Sequence, residues 1–396
     1  MILAIDVGGT KLAAGLVTPD GTVLRSARAA TPQGAPAAAL WKVLTDLVEP
    51  LSVPGVTGVG AGCGGPMSWP DGEVSPLNIP AWRRFPLRAR LAERFPGLPV
   101  RLHNDAVCLA VAEHWKGAGQ GSANMLGMVV STGVGGGLVL DGRLVNGGTG
   151  NAGHVGHVVV EPEGGPRCGC GGHGCLEAVT RGPALTAWAL AHGWLPHHPA
   201  PASAPAPVSA SASAPASAPA SAPASAPASA PAPVSASAPA PAPAPAPGAR
   251  SSASTAAGSP SFAGAASGAI TLDGPGERTA YQEDRAVTAR QLAADARDGD
   301  PVAVRAMRRA GRALGVAIAS ATHLCDLDVV TIGGGLSQAG EPLFGPLEEA
   351  LREHARMGFA RRVKVLPAAL GQEAGLIGAA ALLLAGDTYW TPPSAC

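Results

Sequence analysis

The 396-residue sequence lacks a charge excess of either sign, because 28 Lys and Arg offset 28 Asp and Glu. Without a basic surplus, there is no electrostatic footprint for nucleic acid or an anionic membrane as partner. Long hydrophobic runs are missing too. Ala-rich stretches such as "GAAALLLA" are apolar but too short to span a bilayer. The opening "MILAIDVGGT" carries no basic segment, long apolar run or cleavage site of the secretory kind, so a cytoplasmic protein is expected. A disulfide framework is not indicated either. Seven cysteines is an odd number and three of them are clustered, which points to a reduced compartment and a metal role. Two nucleotide signatures are absent as well. No GxxxxGK[ST] runs into a helix, so there is no P-loop, and no GxGxxG opens a helix after a strand, as a dinucleotide-binding fold requires.

Aromatic residues are only 4% of the chain and almost vanish between about Pro199 and Ala280. Pro, Ala and Ser dominate that tract ("PASAPAPVSASASAPASAPA"), which has no apolar periodicity. Such a segment buries too little surface to offset its chain entropy, and its prolines favour extended polyproline II. It is expected to be a disordered insertion. The remaining chain is long enough for two domains of ordinary size.

What is present is a series of apolar strands ending in glycine. Ile2–Val7 and Lys11–Val17 read as strands joined by "DVGGTK", and the turn "TPDG" leads to a third at Thr22–Ala29, an antiparallel meander. A helix is expected at Ala35–Leu51, strands at Val56–Ala61 and Val100–His103, and a helix at Ala106–Trp115. The plan then repeats. Met125–Ser131 is a strand, "TGVGGG" a glycine loop, Leu138–Leu140 a strand and "DGR" a turn. Helices follow at Thr180–His192, Thr288–Arg297 and Pro301–Leu324. A strand at Val329–Ile332 feeds "GGGLS", and a small-residue helix at Ala374–Leu384 closes the chain. Two halves with similar openings suggest a duplicated α/β architecture around a cleft.

Three glycine loops after three apolar strands point to phosphate or nucleotide binding. In the first, Gly8 and Gly9 let backbone N–H groups approach a phosphate, Thr10 and Lys11 add a hydroxyl and a cation, and Asp6 can reach a hydrated Mg²⁺. The second is "STGVGGG" (131–137), with Thr132, Gly133 and Gly135; the third is "IGGGLS" (332–337), with Gly334 and Gly335. Asp105 ends a strand, where α/β sheets place their chemistry, and its carboxylate can accept a hydroxyl proton during phosphoryl transfer. Asn104 and Asp105 can equally cap the helix that follows. In "NAGHVGHVVVEPEGGPRCGCGGHGCLE", Cys168, Cys170 and Cys175 with one histidine make a Cys₃His set suited to structural zinc. His154, His157 and His173 are all candidates for the fourth ligand. Cys63, Cys108, Cys325 and Cys396 are expected to be buried or terminal thiols.

Taken in order, "DVGGTK", "NDA", "STGVGGG", "GHVGH", "CGCGGHGCLE", "IGGGLS" and "AGLIGAAALL" resemble the ROK family of repressors, unknown reading frames and sugar kinases. The resemblance covers all but the insertion. It implies a ribonuclease H-like, actin-like ATPase fold, with two α/β domains closing over a sugar and ATP, and often a homodimer. The implied domains are 1–117, completed by a helix at about 372–388, and 118–198 with 281–371, with 199–280 inserted. It assigns Asp6, Gly9, Thr10, Thr132, Gly133 and Gly334 to ATP, Asp105 as catalytic base, and Asn78, Asn104 and Glu177 to sugar hydroxyls. His157, beside the sugar, becomes the zinc ligand with the three cysteines. The family's helix-turn-helix module is not expected, which favours a kinase over a repressor.

One departure bears on the sugar. Glucokinases of the family usually carry Glu-x-Gly-His where this chain has His154-Val-Gly-His157. A glutamate accepts hydrogen bonds with a fixed charge, whereas an imidazole offers one donor or acceptor per nitrogen. "AGHVGH" together with "STGVGGG" and "CGCGGHGCLEA" is similar to the bacterial N-acetylmannosamine kinases of the family, so that sugar is the expected acceptor, with glucose as the alternative. A sugar-responsive regulator without catalysis is a third possibility. Deletion of 199–280 is expected to leave activity and solubility intact; loss of either would give the tract a role.

Overall fold

The computed structural model describes residues 1–197 and 287–390, so the tract expected to be disordered at 199–280 lies outside the described residues. The chain opens with β1 (Ile2–Val7), β2 (Lys11–Val17) and β3 (Val23–Ala30), paired antiparallel in that sequence. The short apolar runs of β1 and β2 reflect burial on both faces. Helix α1 (Ala37–Val48) buries Leu40, Leu44 and Leu47 along one face. It is shorter than the expected Ala35–Leu51, because Pro36 is its N-cap and Pro50 falls in a terminal 3₁₀ turn. Strand β4 (Gly58–Cys63) starts two residues later than expected and runs parallel to β1. A hairpin of β5 (Met67–Ser68) and β6 (Glu73–Val74), then helix α2 (Leu87–Arg94), lead to β7 (Val100–Asn104), parallel to β4. Helix α3 (Asp105–Lys116) follows without a linker.

The second half repeats the design. Strands β8 (Met125–Val130), β9 (Val134–Leu140) and β10 (Arg143–Leu144) form an antiparallel meander. Helices α4 (Leu176–Thr180), α5 (Gly182–Ala191), α6 (Ala289–Arg297) and α7 (Pro301–Cys325) come next. Then β11 (Val329–Gly333), α8 (Glu341–His354) and β12 (Lys364–Pro367) complete the sheet in parallel sense. Helices α9 (Ala374–Leu384) and α10 (Gly386–Tyr389) end the described chain. The two sheets have the orders β3-β2-β1-β4-β7 and β10-β9-β8-β11-β12, the same five-strand topology twice. This is the expected ribonuclease H-like, actin-type arrangement, two sheet-and-helix regions around a cleft.

Two further expectations are corrected. Strand β9 begins at Val134 and not at Leu138, so Gly135, Gly136 and Gly137 belong to the β8–β9 ladder and only residues 131–133 form the turn. The helix expected over Thr180–His192 starts two residues later as α5, because Arg181 is extended (φ −60°, ψ 145°) before Gly182-Pro183, and the short α4 that precedes it was not expected. Helices α2 and α8 and strand β12 had no clear pattern in the sequence. In α8 an internal Pro346 interrupts the apolar period.

The glycines of β9 are explained by packing. Helix α3 lies on that face of the second sheet: a Cβ at Gly137 would sit 2.8 Å from the Val107 Cα, one at Gly135 2.7 Å from the Ala106 Cβ, and one at Gly127 2.5 Å from the Ala110 Cα. On the other side, α9 packs on β4, β1 and α3. There a Cβ at Gly60 would overlap the Ala379 carbonyl, and one at Gly378 the Cys108 carbonyl. Gly60→Ala and Gly378→Ala are each expected to cost about 1–3 kcal/mol of stability by overpacking, read as a lowered urea midpoint. Gly358, with open space around it, is the control position. Equal midpoints for all three variants would contradict the packing argument.

Candidate active site

A cleft of about 330 Å³ opens where the ends of β1, β4 and β7 face the β8–β9 turn. The first region lines it with Asp6, Gly8, Gly9, Thr10, Lys11, Asn78, Asn104 and Asp105; the second contributes Thr132, Gly133, Gly135, His154, His157 and Glu177. Residues chosen from stretches far apart in the chain thus share one surface. Gly334 and Gly335 do not line it. They stand beside the start of the second loop, Gly334 at φ +91° against the Val130 backbone and Gly335 next to Ser131.

The first loop is braced from behind. The Gly8 carbonyl accepts from the Thr31 hydroxyl (2.7 Å), that of Gly9 from Gln33 Nε2 (2.7 Å) and that of Thr10 from the Thr31 N–H (3.1 Å). With its carbonyls occupied, the loop has the N–H groups of Gly9 and Thr10 left without a partner among the described residues. The second loop is held by Glu177, whose Oε2 accepts from the Val134 N–H at 2.9 Å. Among the described residues the N–H groups of Thr132 and Gly133 also have no partner. Unpaired N–H groups on facing loops make a concavity suited to anionic oxygens.

Asn104 and Asp105 do cap α3. Asn104 Oδ1 and Asp105 Oδ1 accept from the Ala106 N–H at 2.9 and 2.8 Å. The capping leaves Asp105 Oδ2 without a partner among the described residues, on the Gly64 side. Burial raises the Asp105 pKa, partly opposed by the Ala106 N–H. Asp6 is pushed up to about 7 by burial first and by the Asp105 charge second. A cation beside these carboxylates would therefore be strongly favoured.

Polar side chains gather over Gly64 and Gly65. A Cβ on Gly65 would lie 2.8 Å from Asn104 Nδ2 and 2.9 Å from His154 Nε2, and one on Gly64 3.4 Å from Asn78 Oδ1. His154 Nδ1 is 3.1 Å from the Asn151 carbonyl, which can only accept, so Nδ1 carries the proton and Nε2 is an acceptor. Burial and the neighbouring His157 lower the His154 pKa and keep the ring neutral. The same logic applies to His103, which accepts the Asn104 N–H on Nδ1 (2.8 Å) and donates from Nε2 to Asn146 (2.9 Å). Its pKa falls to about 4 through burial. Asn104 is thereby anchored to the second region.

His157 and the three cysteines converge. Their ligand atoms all lie within 4.8 Å of one another. Cys168 Sγ is 3.6 Å from His157 Nδ1, and Cys170 Sγ is 3.8 Å from Cys175 Sγ. A zinc tetrahedron with Zn–S of about 2.3 Å and Zn–N of about 2.0 Å has edges of about 3.5 Å (S to N) and about 3.8 Å (S to S). The sulfurs are too far apart for a disulfide, which needs about 2.05 Å. The donor set fits a structural zinc, held through the Nδ1 of His157.

Several lining residues escaped the sequence reading: Gly64, Gly65, Leu77, Val129, Ser131, Val134, Gly169 and Arg181. "GAGCGG" at the end of β4 is a fourth glycine ending after an apolar strand and was a usable signal. Arg181 has none, because it reads as part of the first turn of a helix.

The family model described as the ROK family matches residues 2–210 and 270–385. A Thermotoga maritima glucokinase is 30% identical over 385 residues, 96% of each chain. A Citrobacter koseri N-acetylmannosamine kinase is 41% identical over 185 residues, 47% of this chain and 63% of that one. The crystal structure of a ROK family glucokinase from Streptomyces griseus, with glucose and AMPPNP, superimposes with a TM-score of 0.65 at 27% identity, covering 96% and 98% of the two chains.

The metal centre has a direct check. His157→Ala and Cys168→Ser are expected to lose bound zinc, measured by elemental analysis of the purified protein, while His154→Ala retains it. Zinc lost from the His154 variant but kept in the His157 variant would reverse the assignment.

Proposed function

The chain belongs to the ROK family, and from that premise we propose that it is an ATP-dependent sugar kinase that phosphorylates the 6-hydroxyl of glucose. The observation that supports phosphoryl transfer best is the Asp105 carboxylate, with Oδ1 engaged at the helix cap and Oδ2 left open in a cleft between two loops of unpaired N–H groups. Asp105 accepts the proton of the sugar hydroxyl, whose oxygen bonds to the γ-phosphorus as the bond to the departing ADP breaks. The N–H groups of Gly9, Thr10, Thr132 and Gly133 stabilise phosphate charge, and Lys11 adds a cation. Asp6 is the carboxylate for the Mg²⁺ that accompanies ATP. Asn78, Asn104, His154 and Glu177 orient the sugar. His157, Cys168, Cys170 and Cys175 would hold a structural zinc, which would cross-link the loop between His157 and Glu177.

The similarity that runs end to end, to the Thermotoga maritima glucokinase, supports glucose over the N-acetylmannosamine expected from His154. N-acetylmannosamine is the second reading. It rests on His154, whose Nε2 is an uncharged acceptor where relatives with glutamate would present charge, and on the higher local identity to the Citrobacter koseri enzyme.

Coupled ADP release over a panel of sugars is expected to give the highest kcat/KM with glucose; a preference for N-acetylmannosamine would select the second reading. Asp105→Asn is expected to lower kcat about 10²–10⁴-fold, and undiminished turnover would remove Asp105 from the base role. A protonated carboxyl cannot accept the proton, so activity falls as pH drops. Because burial raises the Asp105 pKa, the wild-type acid limb should lie above the ordinary carboxylate value of about 4.

A further inference from the structure

Arg181 sits on the cleft wall and has no role in the reading above. Its position comes from the break between α4 and α5. Its N–H donates to the Glu177 carbonyl at 3.0 Å, ending α4, and the adjacent Gly182 N–H donates to the Ser131 carbonyl at 2.7 Å. The second hydrogen bond ties the break to the first residue of the second glycine loop, whose own Ser131 N–H closes on the Gly133 carbonyl at 2.9 Å. Arg181 is therefore held next to the unpaired N–H groups of Thr132 and Gly133. Its guanidinium forms no hydrogen bond or ion pair among the described residues and is exposed to solvent.

The charges of the cleft give this placement a consequence. Its walls carry three carboxylates, Asp6, Asp105 and Glu177, and among the described residues the lining side chains with fixed positive charge are Lys11 and Arg181. A nucleoside triphosphate adds several negative charges to that surface. Lys11 faces them from the first region, at the start of β2, and Arg181 from the second. A guanidinium presents a planar fork of donors that matches phosphate oxygens two at a time and keeps its charge at any working pH. A sugar brings no charge for it to meet.

We propose that Arg181 binds the phosphate groups of the nucleotide donor, opposite Lys11, and so determines donor affinity; this rests on the kinase reading above. The role belongs to a side chain at a helix break, where it can move without disturbing a packed core. It adds a cation to the backbone N–H groups already offered by the second loop.

The test is kinetic and also direct. Arg181→Gln is expected to raise the KM for ATP about 10-fold or more while leaving the sugar KM at saturating ATP within about 2-fold, with Arg181→Lys intermediate. Calorimetric titration with Mg²⁺ and AMPPNP should show the same loss of affinity without turnover. Unchanged ATP KM and AMPPNP affinity in Arg181→Gln would overturn the proposal, as would a rise in the sugar KM alone. If wild-type protein binds AMPPNP but phosphorylates no sugar, the kinase reading fails while the Arg181 assignment is still judged by the binding arm. If wild-type protein binds no nucleotide, both fall.

Discussion

The close approach of the α3 backbone to its neighbours underlies the rest of the structure. Gly127, Gly135 and Gly137 bring the second sheet against it, and Gly378 brings α9 against its other side. With no side chains as spacers, α3 is fixed to within a methyl group of each surface, and packed interiors do not deform smoothly to absorb an extra one. Asp105 is the first residue of this helix. The position of its carboxylate is therefore set by contacts along three turns of buried backbone, and both halves of the chain contribute to them.

A second line of constraint runs from the cysteines to the glycine loop. His157 and the three cysteines form a compact donor set, Cys175 is the N-cap of α4, and Glu177 two residues later grips the Val134 N–H. The same short helix ends at the break that carries Arg181. The loop at the cleft is thus shaped by groups attached to the Cys₃His cluster. Glu177 has one oxygen engaged in this way, so any sugar hydroxyl it receives shares the carboxylate with the backbone. His103 and Asn151 do comparable work on the opposite side, where Asn151 binds the Met67 N–H and carbonyl at 3.0 and 2.8 Å while its own carbonyl orients His154.

Much of this was legible because the residues involved have few alternatives. An apolar strand buried on both faces reads as a run, and β1, β2 and β8 were found where such runs occur. Asn-Asp before an apolar helical pattern reads as a cap, and it is one, with the second carboxylate oxygen still open. The failures have equally local causes. Gly135–Gly137 resemble a loop because glycine carries no strand signal, yet here glycine is what a strand beneath a close-packed helix requires. The break at Arg181 was missed because one helix was read from Thr180 onward, although Gly182-Pro183 marks a helix start. In α8, Pro346 obscured a helix that α7 stabilises by packing against it.

Taken alone, the sequence determined the duplicated α/β plan, the glycine turns at strand ends and the Cys₃His donor set, because each depends on nearest-neighbour chemistry or on burial of a periodic face. Residue spacing left three histidines competing for one metal position, with His157 singled out only by the family resemblance, and gave no packing reason for the glycines of β9. Those matters depend on distance between residues remote in the chain. Only the tertiary structure placed His157 Nδ1 beside Cys168, turned His154 so that Nε2 is its free acceptor, and set Arg181 on the wall of the cleft. Pattern along a chain specifies which face is buried; which groups meet is decided by packing, through contacts the linear order does not contain.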